Sequence, residues 1–567
     1  MLKKWKVLPL VPSSHLARFP ALSPLLVQVL YNRQVRDPGE VDDFLAGRWP
    51  EADVFAMCDM RRAVDILIRA IRRKEPIAIY GDFDTDGVTA TALLVQTLTG
   101  LGADVQPYIP KRMREGYGLN IGALRQLYGQ GVRLVVTVDC GIRAVKEIDQ
   151  ARRGLEFIVT DHHSVGPELP FASAVIDPKR EDCPYPFKEL AGVGVAFKLA
   201  QALIQEAKEC KTPVHIEERS LLDLVALGTV ADLVPLRGEN RYLVRRGLQV
   251  LNEASREGVR ALLRVAGVRP GQVSATTIGF GLGPRLNATG RLGDALLSYK
   301  LLITCEPGEA RRLAEALDDL NRKRQEMTVQ AYEKAEQMAL ARGRDVPILY
   351  AADKTFSSGI VGLVAGRLTE RYYRPSVVVE KDGEICKGSC RSVKEFHITS
   401  ALDECRDLLV RHGGHAAAAG FTVQSENLDR LMQRLSQVAK RELEGKELIP
   451  ALEIDADVPL AEMNWATLEW LQKLEPCGEE NPMPLFLSRG VPVRDVRLVG
   501  SEGRHLKLML GEGSGIRDAI AFRQGERMAK LGDRVDVAYH LEVNEWNGER
   551  RLQLNVQDIR TAETMGS

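Results

Sequence analysis

Three aspartates directly follow a short apolar run: Asp82, Asp84 and Asp86 lie in the segment IAIYGDFDTDG. In an extended segment, residues spaced two apart project to the same side. Three carboxylates on one side repel one another and raise each other's pKa unless a cation lies among them. Gly87 then lets the chain turn sharply into the next helix. Taken alone, the motif is also compatible with an acidic surface loop that carries a helix cap.

Further potential metal ligands follow other apolar runs. Asp139 lies in VTVDCG, Asp161, His162 and His163 lie in IVTDHHSVG, and Asp232 follows the apolar helix of LVALGTVADLVPL. In open parallel sheets, sites form beyond the carboxyl ends of the strands, so we expect these segments to converge. Carboxylates with an imidazole suit Mg²⁺ or Mn²⁺, and no thiolate favours zinc. The sequence therefore predicts a divalent-metal site.

The elements around these residues alternate between strands and helices, which predicts a parallel sheet with right-handed crossovers. The predicted strands are 76–80, 134–138, 157–160 and 174–176. A mainly helical region follows, from about Val193 to Gly267. The long charged helix that begins at Pro307 is polar enough to be a solvated connector.

Two further regions follow this helix. From Pro347 to about Val438, the strands PILYAA and PSVVVE flank the helix GIVGLVAGRLTERY, which indicates a second α/β domain. From about Leu452, apolar and polar residues alternate, and Asn547-Gly548 lies where a tight hairpin turn is expected. This pattern predicts a small antiparallel barrel, with an OB-fold as one candidate.

Composition narrows the class of protein. A chain of 567 residues needs three or four domains, and its 77 basic and 77 acidic residues give no net charge. Zero net charge argues against a nucleic-acid coat protein but not against a local basic groove. The nine cysteines form no zinc or disulfide framework, which favours a reducing cytoplasm. We expect no membrane span and no signal peptide, since Pro9 and Pro12 break the only apolar stretch near the start.

In this order, DFDTDG, VDCG, DHH and GTVADLVPL resemble the four motifs of the DHH phosphoesterase superfamily. Within it, YIPKRMREGYGLN, GFGLGPRLNATGRLGDA and LEPCGEENPMPLF resemble the bacterial RecJ family of single-strand-specific 5′→3′ exonucleases. GIVGLVAGRL, GSCRSV and GGHAAAAGF resemble the DHHA1 substrate-binding domain. The resemblance covers the chain from about Phe55 to Arg560.

The resemblance implies an α/β fold in which a parallel-sheet DHH domain and a DHHA1-like domain are joined by a helical connector and followed by an OB-like barrel. The expected domains are an N-terminal segment at 1–54, the DHH catalytic domain at 55–235, a helical region and connector at 236–345, the DHHA1-like domain at 346–445, and a nucleic-acid-binding OB-like domain at 446–567.

The resemblance also implies two metal ions, Mn²⁺ or Mg²⁺. Their expected ligands are Asp82, Asp84, Asp86, Asp139, His162 and Asp232. Two such ions lower the pKa of a shared water, which then attacks phosphorus in line. We expect three catalytic residues: Asp139 to bridge the metals, Asp161 to orient a histidine, and His163 to contact the scissile phosphate. Sequence alone leaves open which carboxylate bridges.

The DNA-binding residues implied by the resemblance lie in four segments: Arg112, Tyr117, Arg285, Asn287, Arg291, Ser389, Arg391, Ser392, Gly414 and His415. Arginines bind phosphates, and the Tyr117 ring either stacks on a base or packs inside the protein. Glycines around Arg285 and Arg291 allow close approach of a phosphate chain. The GSCRS segment is expected to be a glycine-bounded loop that binds a terminal 5′-phosphate through Arg391. His415 has the alternative of a capping or core histidine.

The activity implied is a single-stranded-DNA-specific 5′→3′ exonuclease that releases 5′-mononucleotides in DNA repair and recombination. Its expected partners are single-stranded DNA, a single-strand-binding protein and a helicase. One alternative is a DHH phosphodiesterase for short oligonucleotides or cyclic dinucleotides, or a pyrophosphatase. A second alternative, a non-catalytic relative, should have lost ligands that this chain keeps. Two departures from the family affect the second α/β domain: Phe356-Ser357-Ser358 replaces Trp-His-Pro, and Cys390 replaces a glycine.

Overall fold

The computed structural model describes residues 3–50, 52–343, 345–511, 513–546 and 548–562. The chain divides into two compact units, one with residues 52–234 and 246–449 and the other with the N-terminal segment, residues 235–245 and residues from 450 onwards. The structure thus groups the N-terminal segment with the C-terminal barrel, which the sequence did not predict. Among the described residues, no helix has the length and apolar character needed to cross a membrane.

The N-terminal segment holds one strand and three helices. They are β1 (Lys4–Val7), α1 (Ser13–Leu16), α2 (Pro24–Asn32) and α3 (Pro38–Ala46). The sequence of α3 shows why it starts and stops. Asp37 caps the helix by accepting a hydrogen bond from the Gly39 amide, and Gly47 ends it with a left-handed φ of 68°.

A five-stranded parallel sheet, here called the first sheet, forms the core of the next region, in the order β3-β2-β4-β5-β6. Its elements are α4 (Met60–Arg73), β2 (Ile77–Gly81), α5 (Thr85–Gly100), β3 (Val105–Tyr108), α6 (Arg112–Glu115), α7 (Ile121–Gly129), β4 (Leu134–Val138), α8 (Val145–Ala151), β5 (Glu156–Thr160), β6 (Ala174–Ile176), α9 (Gly192–Glu209) and α10 (Leu222–Ala231). The predicted parallel sheet is confirmed. Sequence analysis missed β3, a half-buried edge strand whose sequence VQPY carries no apolar run.

The helical region follows as predicted. It comprises α11 (Gly238–Glu253), α12 (Glu257–Val265), α13 (Ala275–Thr277), a π-helical turn (Ile278–Leu282), α14 (Gly283–Leu292), α15 (Leu296–Ile303) and α16 (Pro307–Leu340). Helix α16 is less solvated than the sequence suggested. It buries a stripe of small residues along its length, including Ala310, Ala314, Ala331 and Ala335, so one face packs against the protein.

A second five-stranded sheet has the order β10-β11-β9-β8-β7, with only β7 and β8 parallel. Its elements are β7 (Leu349–Asp353), α17 (Val361–Tyr372), β8 (Ser376–Asp382), β9 (Ile385–Arg391), α18 (Ile398–Asp403), β10 (Leu409–Gly414), β11 (Ala418–Gln424) and α19 (Leu428–Leu443). The prediction that GSCRS is a loop is wrong, because Ser389 and Arg391 belong to β9. Strand alternation points Cys390 into the core, so this departure adds no side chain to the opposite face.

The C-terminal region is a barrel of five strands in the order β14-β15-β16-β18-β17, closed by a β14–β17 pairing, and the short strand β13 is added beside β14. Its elements are β12 (Ala451–Ile454), β13 (Ala456–Asp457), α20 (Trp465–Gln472), β14 (Phe486–Val499), β15 (His505–Leu510), β16 (Arg517–Ala521), β17 (Arg534–Trp546) and β18 (Glu549–Thr561). The OB-like barrel is confirmed, although β13–β14 and β16–β18 pair in parallel. Strands β17 and β18 form the predicted hairpin up to the Trp546–Glu549 pair, while Asn547 lies outside the described residues.

Candidate metal centre

Three aspartates stand side by side at the carboxyl ends of neighbouring strands. Asp82, Asp139 and Asp161 directly follow β2, β4 and β5. These strands are paired in register at their last residues, so the three side chains meet at one edge of the first sheet. All three are buried, and Asp139 adopts a left-handed φ of 58°. The convergence predicted from the strand pattern is therefore observed.

Asp84 and Asp86 reach this edge by a different route from the one that the sequence suggested. Asp86 lies inside α5, so the argument from a spacing of two in an extended segment is wrong for it, whereas Asp84, directly before the helix, does have an extended backbone. Asp84 caps α5 by accepting a hydrogen bond from the Gly87 amide at 3.1 Å. Asp86 lies in the first helical turn, and its carboxylate accepts hydrogen bonds from the amides of Gly192 at 2.6 Å and Val193 at 2.8 Å. Helix N-termini thus hold both carboxylates.

Glycines bring the helices this close to the strand ends. A Cβ on Gly87 would lie 2.6 Å from the backbone nitrogen and oxygen of Asp82, and one on Gly192 would lie 2.6 Å from the Asp139 Cβ. Gly87 was predicted to provide a sharp turn, but it lies inside α5, and its function is close approach. Any side chain at either position would push apart the elements that carry the aspartates.

The six predicted metal ligands form two adjacent groups. Asp82, Asp84 and Asp139 form one, and Asp86, His162 and Asp232 the other; in each, the potential ligand atoms lie within 4.8 Å of one another. The His162 Nε2 atom lies 3.1 Å from Asp139 Oδ1, 3.7 Å from Asp232 Oδ2 and 3.9 Å from Asp86 Oδ2. We call these six residues the acidic cluster.

The electrostatics of the acidic cluster are those of a cation site. Burial, reinforced by neighbouring carboxylates, raises the pKa of Asp82, Asp139 and Asp232 well above the usual value and that of Asp86 to about 7. Burial also lowers the pKa of His162 to about 3, which keeps its imidazole neutral. Asp82 Oδ1 and His162 Nε2 are buried without a hydrogen-bond partner. Oxygen donors with a neutral imidazole fit Mg²⁺ or Mn²⁺.

Asp161 differs from the acidic cluster in its partners. Its Oδ1 atom lies 2.8 Å from His163 Nδ1, and its Oδ2 accepts a hydrogen bond from the Ile142 amide at 2.9 Å. Against the effect of burial, the hydrogen bond and charge of His163 lower the pKa of Asp161. In the same way, Asp161 overcomes burial and raises the pKa of His163. The geometry suits a carboxylate that orients His163 and favours its protonated form.

Sequence analysis missed one further acid at this edge. Asp177 directly follows β6 and is fully buried. Burial raises its pKa to about 7, and its Oδ2 has no hydrogen-bond partner, while Oδ1 accepts the Lys179 amide at 2.8 Å. The segment AVID repeats the apolar-strand-then-aspartate pattern of IAIYGD and VTVD, so the signal was present in the sequence.

Three arginines from distant segments gather beside the acidic cluster, and we call them the arginine cluster: Arg112, Arg291 and Arg391. Burial lowers the pKa of all three, that of Arg291 to about 10, and the charge of Arg112 lowers the pKa of the other two further. Asp82 and Asp84 partly offset this effect at Arg112. Half-buried guanidinium groups that repel one another are suited to bind an anion.

The second sheet supplies hydroxyl groups and bare backbone to this site. Arg391 Nη1 donates to Ser389 Oγ at 3.3 Å, and Arg291 Nη1 donates to the Gly359 carbonyl at 3.2 Å. A Cβ on Gly362 would lie 3.0 Å from Ser389 Oγ and 3.2 Å from Arg391 Nη2. Of the unusual segment 356–358, the Phe356 side chain packs in the core beneath α17.

Arg285 and Asn287 are engaged inside the protein. Arg285 Nε donates to Asp318 Oδ1 at 2.9 Å, and its Nη1 donates to the Gly281 carbonyl at 2.8 Å. Asn287 Oδ1 accepts the Thr85 amide at 2.8 Å, directly between Asp84 and Asp86. The Asn287 contact supports the segment that carries Asp84 and Asp86. Because both side chains are engaged in this way, the structure gives no support to their predicted DNA contacts.

The remaining predicted DNA-binding residues differ in exposure. The Tyr117 side chain is 55% exposed, and its ring centroid lies 6.1 Å from that of His163, which speaks against the packing alternative. Ser392 donates its hydroxyl to the Phe396 carbonyl at 2.7 Å. Gly414 ends β10, and His415 follows it, exposed to solvent. Partial burial, then the charges of His163, Arg143 and Lys179, lower the pKa of His415.

Three family models match this chain: the DHH family N-terminal domain at residues 76–229, the DHHA1 domain at 345–441 and the RecJ OB domain at 454–558. The single-stranded-DNA-specific exonuclease RecJ of Dickeya dadantii is 39% identical over 560 residues, which are 94% of this chain and 96% of that protein. The chain belongs to the RecJ family. The RecJ of Bacillus subtilis is 40% identical over 90% of this chain, which spans 64% of its length.

Solved RecJ structures have the same fold. The RecJ of Thermus thermophilus in complex with Mn²⁺ superimposes with a TM-score of 0.85 at 32% identity, covering 99% of this chain and 80% of that chain. The same protein in complex with Mg²⁺ gives a TM-score of 0.80. The Thermus thermophilus RecJ, which has this fold, has thus been solved with each of the two ions that suit the acidic cluster.

Proposed function

We propose that this RecJ-family chain is a single-stranded-DNA-specific 5′→3′ exonuclease that uses two divalent ions, Mn²⁺ or Mg²⁺, to release 5′-mononucleotides. The observation that carries this proposal is the proximity of two clusters of opposite charge, with the Arg112 guanidinium 4.9 Å from the ring centroid of Phe83, the residue between Asp82 and Asp84. Arg112 interacts with Asp82 and Asp84 and also with Arg291 and Arg391. A site for cations therefore adjoins a site for an anion, as hydrolysis at a phosphorylated strand end requires.

The two groups of the acidic cluster provide a ligand set for each ion. Asp82 and Asp84 would hold one ion and Asp86, His162 and Asp232 the other, with Asp139, 3.1 Å from His162 Nε2, shared between them. When bound, the ions activate a water for attack on phosphorus and neutralise charge on the phosphate oxygens.

Residues of the chain complete the chemistry around this centre. Asp161 holds His163 by a 2.8 Å hydrogen bond and favours its protonated form, so His163 donates a hydrogen bond to the scissile phosphate. Asp139, Asp161 and His162 are buried, which keeps bulk water away from them and strengthens each of these interactions. Gly192 and Gly87 keep the ligands at these distances by allowing close backbone approach.

The arginine cluster would set the polarity of the reaction. A 5′-terminal phosphate is dianionic, and it suits the guanidinium groups of Arg112, Arg291 and Arg391 together with the Ser389 hydroxyl. Binding the terminal phosphate there places the next phosphodiester at the acidic cluster, so the enzyme removes one nucleotide at a time from the 5′ end. The exposed Tyr117 ring stacks on a base or blocks a second strand.

Single-stranded DNA in repair and recombination is the substrate that we infer, with a single-strand-binding protein and a helicase as the partners that supply it. A phosphodiesterase for short or cyclic dinucleotides needs only the two α/β domains, whereas this chain also carries the barrel that matches the RecJ OB domain. The barrel therefore favours a polymer as substrate.

Digestion of end-labelled DNA tests the proposal. Single strands and blunt duplexes labelled at the 5′ or the 3′ end are incubated with Mn²⁺, with Mg²⁺ or with chelator. We expect 5′-labelled single strands to release labelled mononucleotide at once, 3′-labelled strands to shorten progressively, and duplex and chelator samples to remain intact. Release of label first from the 3′ end, or products with a 3′-phosphate, contradicts the proposal.

A further inference from the structure

The π-helical turn Ile278–Leu282 carries the most exposed large hydrophobic side chain among the described residues. Phe280 is 85% exposed and stands between Gly279 and Gly281. Such a side chain gains nothing from folding, and two glycines weaken the helical turn that holds it. π-Helical turns interrupt regular helices and are frequent at functional sites.

The turn lies directly behind the acidic cluster. Gly283 directly follows the turn and is the first residue of α14. A Cβ on Gly283 would lie 3.4 Å from the Cβ of Ala231, which precedes Asp232. The Thr85 hydroxyl donates to the Gly283 carbonyl at 3.4 Å, and Thr85 lies between Asp84 and Asp86. The residue after Asp232, Leu233, is also 70% exposed, with a left-handed φ of 62°. The turn that carries the exposed Phe280 therefore lies next to the segment that carries Asp232.

The glycines of this segment fall into two classes. A Cβ on Gly290 would collide with the Phe83 carbonyl, so packing inside the protein requires that glycine. A Cβ on Gly279 would meet no atom within 4 Å, and one on Gly281 would meet only the Thr277 side chain at 3.9 Å. Neither has a positive φ. Nothing inside the protein requires the bare backbone at Gly279 and Gly281, which points to a ligand that approaches the turn.

Arg285 also holds the backbone of this turn in place. Arg285 Nη1 donates to the Gly281 carbonyl at 2.8 Å, and Arg285 Nε donates to Asp318 of α16 at 2.9 Å. Asp318 also accepts from Arg322 Nε at 3.4 Å. Arg285 therefore positions the turn from behind, which explains why its guanidinium is not free for DNA. An exposed aromatic ring on a bare backbone that Arg285 holds in place is suited to stacking on a flat ligand.

We propose that Phe280 is a stacking platform for a DNA base on the 3′ side of the scissile phosphate. This inference rests on the proposed function. The 5′ end is assigned to the arginine cluster beside Asp82 and Asp84, whereas Phe280 adjoins Asp232 in the other group of the acidic cluster. A strand that crosses both groups would therefore reach Phe280 with a downstream base. Stacking is independent of base identity, as an exonuclease requires.

Binding of a 5′-phosphorylated oligothymidylate of about 20 nucleotides, longer than a single OB-fold site, tests this inference in the full-length protein with chelator present. Phe280→Ala should raise Kd about 10-fold, since stacking on one base is worth that order of affinity. Phe280→Trp keeps a stacking ring and should stay within about twofold of wild type. The matched control is Phe171→Ala, because Phe171 is 69% exposed and precedes β6 at the opposite edge of the first sheet.

An abasic scan locates the base. One abasic nucleotide is placed in turn at each of the first few positions of the strand. For one position beyond the first, the abasic strand should bind wild-type protein about 10-fold more weakly than the intact strand. The Phe280→Ala variant should bind that same abasic strand no more weakly than the wild-type protein does. With Mn²⁺, the same substitution should raise KM and leave kcat within about twofold.

Gly279→Ala separates binding from folding. Because its Cβ has free space, the variant should keep or increase its Tm, yet it should weaken strand binding. Unchanged Kd in Phe280→Ala, or additive losses at every abasic position, overturns the stacking assignment. Failure of wild-type protein to cleave DNA with Mn²⁺ counts against the proposed function instead, since the binding results in chelator do not depend on hydrolysis.

Discussion

The acidic cluster and the arginine cluster each place like charges together in buried or half-buried surroundings, negative in the first cluster and positive in the second. Burial raises the pKa of Asp82, Asp139 and Asp232, and it lowers the pKa of Arg291 and Arg391. Apart from the partial compensation of Arg112 by Asp82 and Asp84, each cluster holds charges of one sign that its own members do not neutralise. The comparison teaches that both clusters are incomplete without a ligand, a cation for one and an anion for the other.

The two clusters also differ in origin. Every ligand of the acidic cluster comes from the carboxyl edge of the first sheet or from helices packed on it. The arginine cluster draws Arg112 from α6, Arg291 from α14 and Arg391 from β9 of the second sheet. Removing one member should therefore have different effects: loss of chemistry in the first cluster and loss of end recognition in the second.

The largest expected effect belongs to Asp139→Asn. This change removes the carboxylate between the two groups of the acidic cluster, and it should lower kcat on the order of 10³-fold or more while leaving strand binding largely intact. His162→Ala should behave in the same way. Hydrolysis rates and Kd for the same oligonucleotide are compared with the wild type. Near-normal hydrolysis rates of either variant at saturating Mn²⁺ would contradict the two-metal assignment.

Arg391→Ala tests the other side of the comparison. Loss of a charge-assisted phosphate contact costs about 2–3 kcal/mol, so use of 5′-phosphorylated strands should fall about 30- to 100-fold, with far less effect on 5′-hydroxyl strands. Arg406→Ala is the matched control, because Arg406 lies near the same sheet with an exposed side chain. Equal losses on both strands would make Arg391 a general backbone contact and shift the search for the end-binding residue to Arg291.

Tyr117→Ala should have a smaller effect, because the ring adds stacking and steric exclusion to a site that other residues define. We expect kcat/KM on single strands to fall about 5- to 10-fold. Some cleavage of blunt duplex should appear, since the ring no longer blocks the second strand. Tyr117→Phe keeps the ring and should behave like the wild type. A loss in Tyr117→Phe as large as in Tyr117→Ala points to the hydroxyl rather than to stacking.

The smallest expected effect concerns the pH dependence of stability without metal. The folded-state pKa of Asp139 is raised above its unfolded value, so its contribution to stability is fully present below the unfolded pKa and is lost as pH rises through the folded pKa. In chelator, Asp139→Asn should therefore gain Tm relative to the wild type as pH rises from about 5 to 8, by ~2–4 °C. Excess Mn²⁺ should reverse the order at pH 8. A Tm difference that does not change with pH contradicts the shifted carboxylate.

Sequence predicted the acidic cluster better than the arginine cluster for a physical reason. Ligands at strand ends are fixed by the pairing of parallel strands, so the pattern of apolar run then aspartate located Asp82, Asp139 and Asp161. The reason given for Asp86 was wrong, since it lies inside α5, whereas Asp84 has the expected extended backbone and also caps that helix. Asp177 shows the same pattern and was missed.

Contacts between distant segments were beyond the sequence. Arg285, Asn287 and Arg291 looked alike in one glycine-rich motif, but Arg285 pairs with Asp318, Asn287 braces Thr85, and Arg291 joins the arginine cluster. The GSCRS segment contains two serines and a glycine, which favoured a loop, whereas pairing with β8 and β11 makes it a strand. Tertiary pairing overrode the local preference in that case.

Counting bound Mn²⁺ most directly tests the claim that the acidic cluster holds two metal ions. Titration calorimetry gives the number of ions per chain, and electron paramagnetic resonance shows whether they are close enough to couple. The account predicts two Mn²⁺ per wild-type chain with a spin-coupled spectrum, and loss of the coupled pair in Asp139→Asn. A single ion per chain, or two ions without coupling, contradicts it.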